Sequence, residues 1–133
     1  RCHDLLSTLN RDYIKGIFDP ANFVQCDVKT YPDAFELLKD HIVYMHIKDA
    51  VYSDYHVVPV GEGNGQVKNI LKALHERGFE GFLSIEPHLK KFEDYSSLKP
   101  GMIGYDLPEG GPKKFAVAVH ALKKMLNELN ITV

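Results

Sequence analysis

Short apolar runs alternate with segments of helical periodicity along this chain, and that alternation restricts the fold more than any other feature. Three runs have the length of strands and carry an acidic residue at or next to their end, namely YIKGIFD, HIVYMHIKD and GFLSIEP. Around them apolar residues recur every three or four positions, as Val67, Ile70, Leu71 and Leu74 do, and this spacing is typical of a helix with one buried face. Strands separated by helices pair in parallel through right-handed crossovers. The sequence therefore predicts an α/β fold with about three parallel strands and four flanking helices.

The other three helices are predicted from similar apolar stripes. Leu5, Leu6 and Leu9 mark the first helix, and Leu37 and Leu38 mark the inner face of the second. The last helix carries the longest stripe, which comprises Phe115, Ala118, Leu122, Met125 and Leu129.

The alternation of side chains within each strand separates a packing face from a polar face. Met45 and Ile47 point to one side of the second strand, whereas His46 points to the other. Asp19 ends the first strand and Glu86 ends the third, both on the side of His46. The carboxyl ends of parallel strands meet at one edge, where α/β enzymes hold their active sites. We therefore expect these three polar side chains to converge.

One imidazole and two carboxylates form a donor set that suits a divalent ion such as Mn²⁺, Mg²⁺, Co²⁺ or Zn²⁺. Such an ion could polarise a carbonyl or hydroxyl oxygen and stabilise a developing oxyanion. Each residue also has a structural interpretation, because a strand-end Asp can cap a helix, a strand-end Glu can face solvent and a single His can be structural. The shared face and shared edge favour a site. Asp19, His46 and Glu86 are the predicted metal ligands, and Glu86 is also the predicted catalytic residue.

The segment HIKDAVYSDYHVVPVGEGNG supplies further candidates. Lys48 is predicted either to contact a substrate oxygen or to pair with a carboxylate, whereas Asp49 has the opposite parity and is expected to order the following loop. The stretch VGEGNGQ, with Glu62 as a candidate for substrate binding, either lets the backbone approach a polar ligand or forms a simple turn. Asp54 and His56 form a D-x-H pair that could hold a second metal ion.

Charge and cysteine content argue against several kinds of partner and site. A net charge of -2 over 133 residues gives no basic field that would attract nucleic acid or an anionic membrane. No apolar run approaches the length of a membrane span. Cys2 and Cys26 fit neither a zinc spacing nor a dense disulfide framework, so the expected location is the reducing cytoplasm.

Four segments, taken in order, carry a resemblance to a known family: IFDPANF, YMHIKDA, VPVGEGNG and FLSIEP. They resemble the C-terminal half of the xylose-isomerase-like TIM-barrel superfamily, which includes sugar isomerases and epimerases, inosose dehydratases and endonuclease IV. The resemblance runs from about Tyr13 to about Pro87. It implies that residues 1–133 are the C-terminal part of one barrel domain whose N-terminal half is absent, since a whole barrel needs about 250 residues.

The resemblance also implies a ligand set. In the epimerase-like members a metal ion is held by a Glu, an Asp, a His and a Glu from the fifth to the eighth strands. Asp19, His46 and Glu86 match the last three positions, and the first Glu would lie before Arg1.

The function implied by the resemblance is that of a divalent-metal-dependent isomerase or epimerase of sugars or cyclitols, acting through an enediolate. Glu86 and the upstream Glu would then move the proton. Asn22 stands where the nuclease has a zinc-binding His and several epimerases have a substrate-binding His, and its amide could still bond a substrate hydroxyl. Two alternatives remain: an endonuclease IV-like nuclease at apurinic sites, with Asp54 and His56 on an additional zinc, and a non-catalytic sugar-binding remnant.

A partner is expected as well, because three strands cannot close a barrel. Ile17, Tyr44 and Phe82 would lack cover on the inner face, and unpaired edges and exposed apolar surface favour association. The chain is therefore expected to be inactive alone and to fold beside the missing half of the barrel or against another copy. Residues 90–111 are rich in Gly, Pro, Ser and charge, and are predicted to form a lid or an oligomer contact.

Overall fold

The computed structural model of the chain describes residues 1–89, 100–102, 106 and 110–133. Most of the segment predicted to be a lid or an oligomer contact, residues 90–111, lies outside the described residues. The elements follow in the order α1 (Cys2–Leu9), β1 (Gly16–Phe18), α2 (Pro20–Gln25), a π-helical turn (Thr30–Ala34), α3 (Phe35–Leu38), β2 (Ile42–Ile47), β3 (Asp49–Ala50), β4 (Val57–Val58), α4 (Val67–Glu76), β5 (Phe82–Ile85) and α5 (Gly111–Glu128).

The main sheet has β2 at its centre. β1 and β5 flank it and both pair with it in parallel, so the predicted α/β fold with three parallel strands is confirmed. The sequence did not predict the short helix α2 or the antiparallel pair that β3 forms with β4. Both follow a main-sheet strand at its carboxyl end, so they border the edge where the candidate residues lie.

The core lies between the helices and one face of the sheet. Phe18, Met45 and Ile47 fill the sheet side of this core, which fixes the face on which the alternate residues must lie. The predicted apolar face of α4 is buried throughout, and the middle of the α5 stripe is buried too. The buried helix residues from these two stripes are Val67, Ile70, Leu71, Leu74, Ala118, Leu122 and Met125.

Several predicted helix faces were wrong in detail. Leu5 and Leu9 of α1 are exposed, and α1 has no buried residue. In α3, Leu37 is exposed while Phe35 and Leu38 are buried. The adjacent leucines cannot both face inward, because the core contacts Phe35 and Leu38, which lie three positions apart on one side of the helix.

The other face of the sheet carries large apolar side chains in contact with solvent. Ile17 is 59% exposed and Phe82 is 76% exposed, whereas Tyr44 is partly buried with its ring centroid 6.0 Å from that of Phe82. This exposure was expected for strands that form part of a barrel interior. The partner that would cover this face stays a prediction.

Among the described residues, no helix combines the length and the apolar character that crossing a membrane requires. Cys2 and Cys26 are both exposed and neither forms a disulfide.

Asp49 organises the loop between β4 and α4. Its side chain is 1% exposed, and its two carboxylate oxygens accept hydrogen bonds from the backbone N–H groups of Gly61 (3.0 Å), Gly63 (3.2 Å), Gly65 (2.8 Å) and Ala50 (2.9 Å). A Cβ at Gly65 would lie 2.7 Å from Asp49 Oδ1, so the close approach requires glycine. The expected loop-ordering role of Asp49 is thus confirmed, and the backbone approaches this carboxylate.

Replacing Asp49 with Asn should lower the free energy of unfolding by about 2 kcal/mol, because the amide NH₂ would face two N–H donors that then lack an acceptor. Burial raises the pKa of Asp49, while the four backbone hydrogen bonds act in the opposite direction. Urea unfolding followed by circular dichroism measures the change. Asp33→Asn is the control, since the ion pair that Asp33 makes with Lys29 is exposed and 3.5 Å long. Equal stability of the two variants would contradict the role given to Asp49.

Candidate metal centre

The three predicted ligands are positioned by the pairing of the parallel strands. Phe18 pairs with Met45. The next residues in the two strands, Asp19 and His46, therefore lie side by side at the carboxyl edge of the sheet. Glu86 directly follows β5, and its backbone N–H donates to the Ile47 carbonyl at 3.3 Å. The three residues come from positions far apart in the chain, and the register alone brings them to one edge.

The side chains of Asp19, His46 and Glu86 converge on one point. His46 Nδ1 lies 3.3 Å from Asp19 Oδ2 and 3.3 Å from Glu86 Oε1. One donor atom from each residue lies within 4.8 Å of the other two, and no other group of three possible ligands occurs within the described part of the chain.

The spacing around His46 suits ligand atoms that surround one ion. Nδ1 of an imidazole has at most one hydrogen, so it can donate to only one of the two carboxylate oxygens, and charge-assisted N–H···O bonds are about 2.7–2.9 Å long. Two ligand atoms that each lie about 2.1 Å from one ion, at about 100°, are about 3.2 Å apart. The two separations of 3.3 Å are therefore compatible with two edges of a coordination sphere.

Asp19 has two tasks, because its two oxygens face different groups. Oδ1 accepts a hydrogen bond from the backbone N–H of Asn22 at 3.1 Å, which caps the N-terminus of α2, and Pro20 occupies the first turn. Oδ2 faces His46. The structural interpretation of Asp19 as a helix cap is correct, and the cap leaves the second oxygen available to the site.

Lys48 lies at the centre of the same group. Its Nζ is 2.9 Å from Asp19 Oδ2 and 2.8 Å from Glu86 Oε2, and its side chain is 10% exposed. Burial opposes the charged form of Lys48, but the hydrogen bonds and charges of Glu86 and Asp19 outweigh it and raise the pKa. The hydrogen bond from Lys48 lowers the pKa of Glu86. Of the two roles predicted for Lys48, the structure shows the pairing with carboxylates.

Comparison with known proteins identifies the family. A profile described as xylose isomerase-like TIM barrel matches residues 1–130, which is nearly the whole chain. The chain belongs to the xylose isomerase-like TIM barrel family. Its three parallel strands and their helices are part of such a barrel.

Two solved structures share this fold. A xylose isomerase domain protein from Planctomyces limnophilus superimposes with a TM-score of 0.68 at 21% identity, over 96% of this chain and 43% of that one. A D-tagatose 3-epimerase-like protein superimposes with a TM-score of 0.59 at 20% identity, over 95% of this chain and 40% of that one. This chain thus spans less than half the length of either structure. No protein of curated function matches it significantly.

His88 also lies near the site, although the sequence patterns did not indicate it. Its Nε2 lies 3.9 Å from Glu86 Oε2, and its side chain is 68% exposed. The backbone around it is held in place, because Leu89 is buried against Val57 and Val117 and its carbonyl accepts a hydrogen bond from Lys114 Nζ. The signal that could have found His88 is its position two residues after Glu86.

The remaining predicted site residues do not join the central group. The Asn22 side chain is exposed on α2, where only its backbone contacts Asp19. Glu62 is exposed and borders a groove beside α5, and none of the three central residues is among the described residues that line it. Asp54 and His56 contact each other through Oδ1 and Nδ1, away from any third candidate ligand in the described ranges. Their predicted roles in substrate or second-metal binding stay predictions.

Replacing Glu86 with Gln should destabilise the metal-free protein at neutral pH, and the effect should vanish in acid. The pKa of Glu86 is lowered, so its contribution is present above its usual value of 4.5 and is lost as pH falls through the lowered pKa. The pKa of Lys48 is raised above 10.5, so the partner stays charged throughout this range.

Melting temperatures of wild type and Glu86→Gln in EDTA, measured from neutral to acidic pH, test this expectation. Glu76→Gln is the control, because Glu76 makes an exposed pair with Lys72 at 3.8 Å and should show almost no difference at any pH. A gap between wild type and Glu86→Gln that widens on acidification would contradict the assigned ion pair.

Proposed function

We propose that this chain carries part of the active site of a divalent-metal-dependent isomerase or epimerase that acts on sugars or cyclitols through an enediolate. The observation that carries the proposal is the equal spacing of 3.3 Å from one imidazole nitrogen to two carboxylate oxygens. The position at the carboxyl ends of parallel strands supports it, since barrel enzymes place their chemistry there. Membership of the family and the likeness to an epimerase-like structure agree with this class of reaction.

Asp19, His46 and Glu86 are the proposed ligands of the ion. Their nitrogen and oxygen donors suit Mn²⁺, Mg²⁺, Co²⁺ or Zn²⁺, and neither cysteine belongs to the group. When bound, a divalent ion would polarise a substrate carbonyl and stabilise the negative charge that develops on its oxygen. The fourth ligand is expected from a carboxylate outside these 133 residues.

Glu86 is the proposed acid/base residue. Its lowered pKa keeps it ionised at neutral pH, and its side chain is 28% exposed on the side where a substrate would approach. The carboxylate would accept the proton from the carbon next to the carbonyl, which leaves an enediolate. A proton returned to the neighbouring carbon gives isomerisation, and one returned to the opposite face of the same carbon gives epimerisation.

The geometry gives less support to a nuclease. The additional zinc site that the nuclease resemblance implies would need Asp54 and His56 to join further ligands, whereas Asn22 offers a poor zinc ligand. The described residues contain one group of three candidate ligands, and neither Asp54 nor His56 belongs to it. A net charge of -2 also gives little attraction for a phosphate backbone.

Replacing Glu86 with Gln in the full-length, Mn²⁺-loaded protein should reduce proton exchange on its substrate by about 10²–10⁴-fold, because an amide cannot accept the proton. The measurement is solvent deuterium incorporation by ¹H NMR in D₂O over a panel that includes D-tagatose, D-fructose, D-xylulose and a keto-inositol. Glu76→Gln is the control and should exchange at the wild-type rate.

Three results would argue against this assignment. Undiminished exchange in Glu86→Gln would remove Glu86 from the mechanism. Binding of a ketose without exchange by the wild type would favour the non-catalytic remnant. Cleavage of a duplex with an apurinic site, without exchange on any ketose, would favour the nuclease.

Two substitutions at Asp19 should separate its helix cap from its proposed metal-binding role. Asn can still cap α2, whereas Ala cannot, so Asp19→Ala should be about 1 kcal/mol less stable than Asp19→Asn in EDTA. Both variants should lose most of their Mn²⁺ affinity, because both lack the carboxylate. Thermal unfolding and isothermal titration calorimetry measure the two effects. Wild-type affinity in Asp19→Asn would contradict the ligand assignment.

A further inference from the structure

We propose that Lys48 is the counter-ion of the metal centre, and that a divalent ion has to compete with its ammonium group for the carboxylates of Asp19 and Glu86. This inference rests on the proposed function, since it concerns the same site. The positive charge of Lys48 then lowers the affinity of the site for a divalent ion.

Lys48 and His46 face the same carboxylate oxygen of Asp19. Oδ1 is already occupied by the backbone N–H of Asn22 at 3.1 Å, so Oδ2 is the oxygen that remains for the site. Lys48 Nζ lies 2.9 Å from this same atom, which also faces His46 at 3.3 Å. The ammonium group therefore binds the oxygen that the ion needs.

Lys48 also contacts Glu86, through the oxygen that does not face His46. Oε1 faces His46 at 3.3 Å, while Oε2 is 2.8 Å from Lys48 Nζ. Lys48 thus bridges the two carboxylates of the ligand group. Within the described ranges, the ionisable groups that contact the ammonium or its two carboxylates are Asp19, Glu86, the imidazole of His46 and, at 3.9 Å from Glu86 Oε2, the imidazole of His88.

Lys48 directly follows β2, and its side chain is mostly buried. It lies two residues after His46 at the end of β2, on the same face, and its side chain is 10% exposed. With two carboxylates and one ammonium, the ion-free site has a charge close to -1, whereas the two carboxylates alone would give -2. A divalent ion attracted to this site meets a fixed positive charge, and like charges at close range in a poorly solvated site repel strongly.

Other roles for Lys48 lead to different expectations. If Lys48 mainly oriented the carboxylates for the ion, removing it would weaken metal binding. If it only contacted substrate, removing it would leave metal binding unchanged. Competition predicts tighter binding, so the sign of the change in affinity separates these possibilities.

The test is the Mn²⁺ affinity of the full-length protein, measured by calorimetry after EDTA treatment and dialysis, in wild type, Lys48→Met and Lys48→Gln. Both neutral variants should bind Mn²⁺ about tenfold more tightly than wild type. Their metal-free forms should melt at a lower temperature, because the carboxylates then repel each other without compensation. Lys68→Met is the control, since Lys68 pairs with Glu128 at 2.6 Å on the exposed surface and should change neither quantity.

Unchanged or weaker Mn²⁺ affinity in the neutral variants would overturn the proposal. Lys48→Gln keeps a hydrogen-bond donor without the charge, so it provides the answer if Lys48→Met does not fold. A wild type without detectable Mn²⁺ binding would contradict the proposed function. In that case, Mn²⁺ binding by either neutral variant would still support competition by Lys48. A lack of Mn²⁺ binding by the wild type and both neutral variants would refute it.

Discussion

The parallel pairing of β2 with both of its neighbours is the interaction on which the candidate site depends. Phe18, Met45 and Ile47 are buried on the helix side of the sheet, and a slip by one residue would turn this apolar row towards the opposite face. Core packing therefore fixes the register. The same register places Asp19 beside His46 and ties Glu86 to the end of β2, so the stability of the core and the geometry of the site have one physical cause.

Two buried carboxylates at the same edge are handled in different ways. Asp49 accepts four backbone hydrogen bonds, which use up its oxygens and shape the loop before α4. One oxygen of Asp19 caps α2, and the other faces His46 and Lys48. Only the second arrangement leaves one oxygen without a backbone partner among the described residues. Hydrogen-bond partners thus distinguish a carboxylate held by the backbone from one that faces other side chains, where burial does not.

The inner face of the sheet changes character along the strands. Near the start of the strands it presents Ile17 and Phe82 to solvent, and near the end it presents Asp19, His46 and Lys48 as one charged group. A closed barrel fills its interior with apolar side chains and keeps its polar groups at the carboxyl rim. The three strands keep this division although the chain spans 43% and 40% of the two structures that share its fold.

The sequence by itself determined the alternation of strands and helices and the parity of His46, because both follow from the local geometry of the backbone. With the family resemblance, that parity was enough to select Asp19, His46 and Glu86. It could not show that Leu37 is exposed, that His88 lies beside Glu86 or that Lys48 bridges two carboxylates. The tertiary structure decided these points, since they depend on how side chains from different elements meet. Such contacts are set by register, loop path and core packing, and none of these is encoded in the period of a single segment.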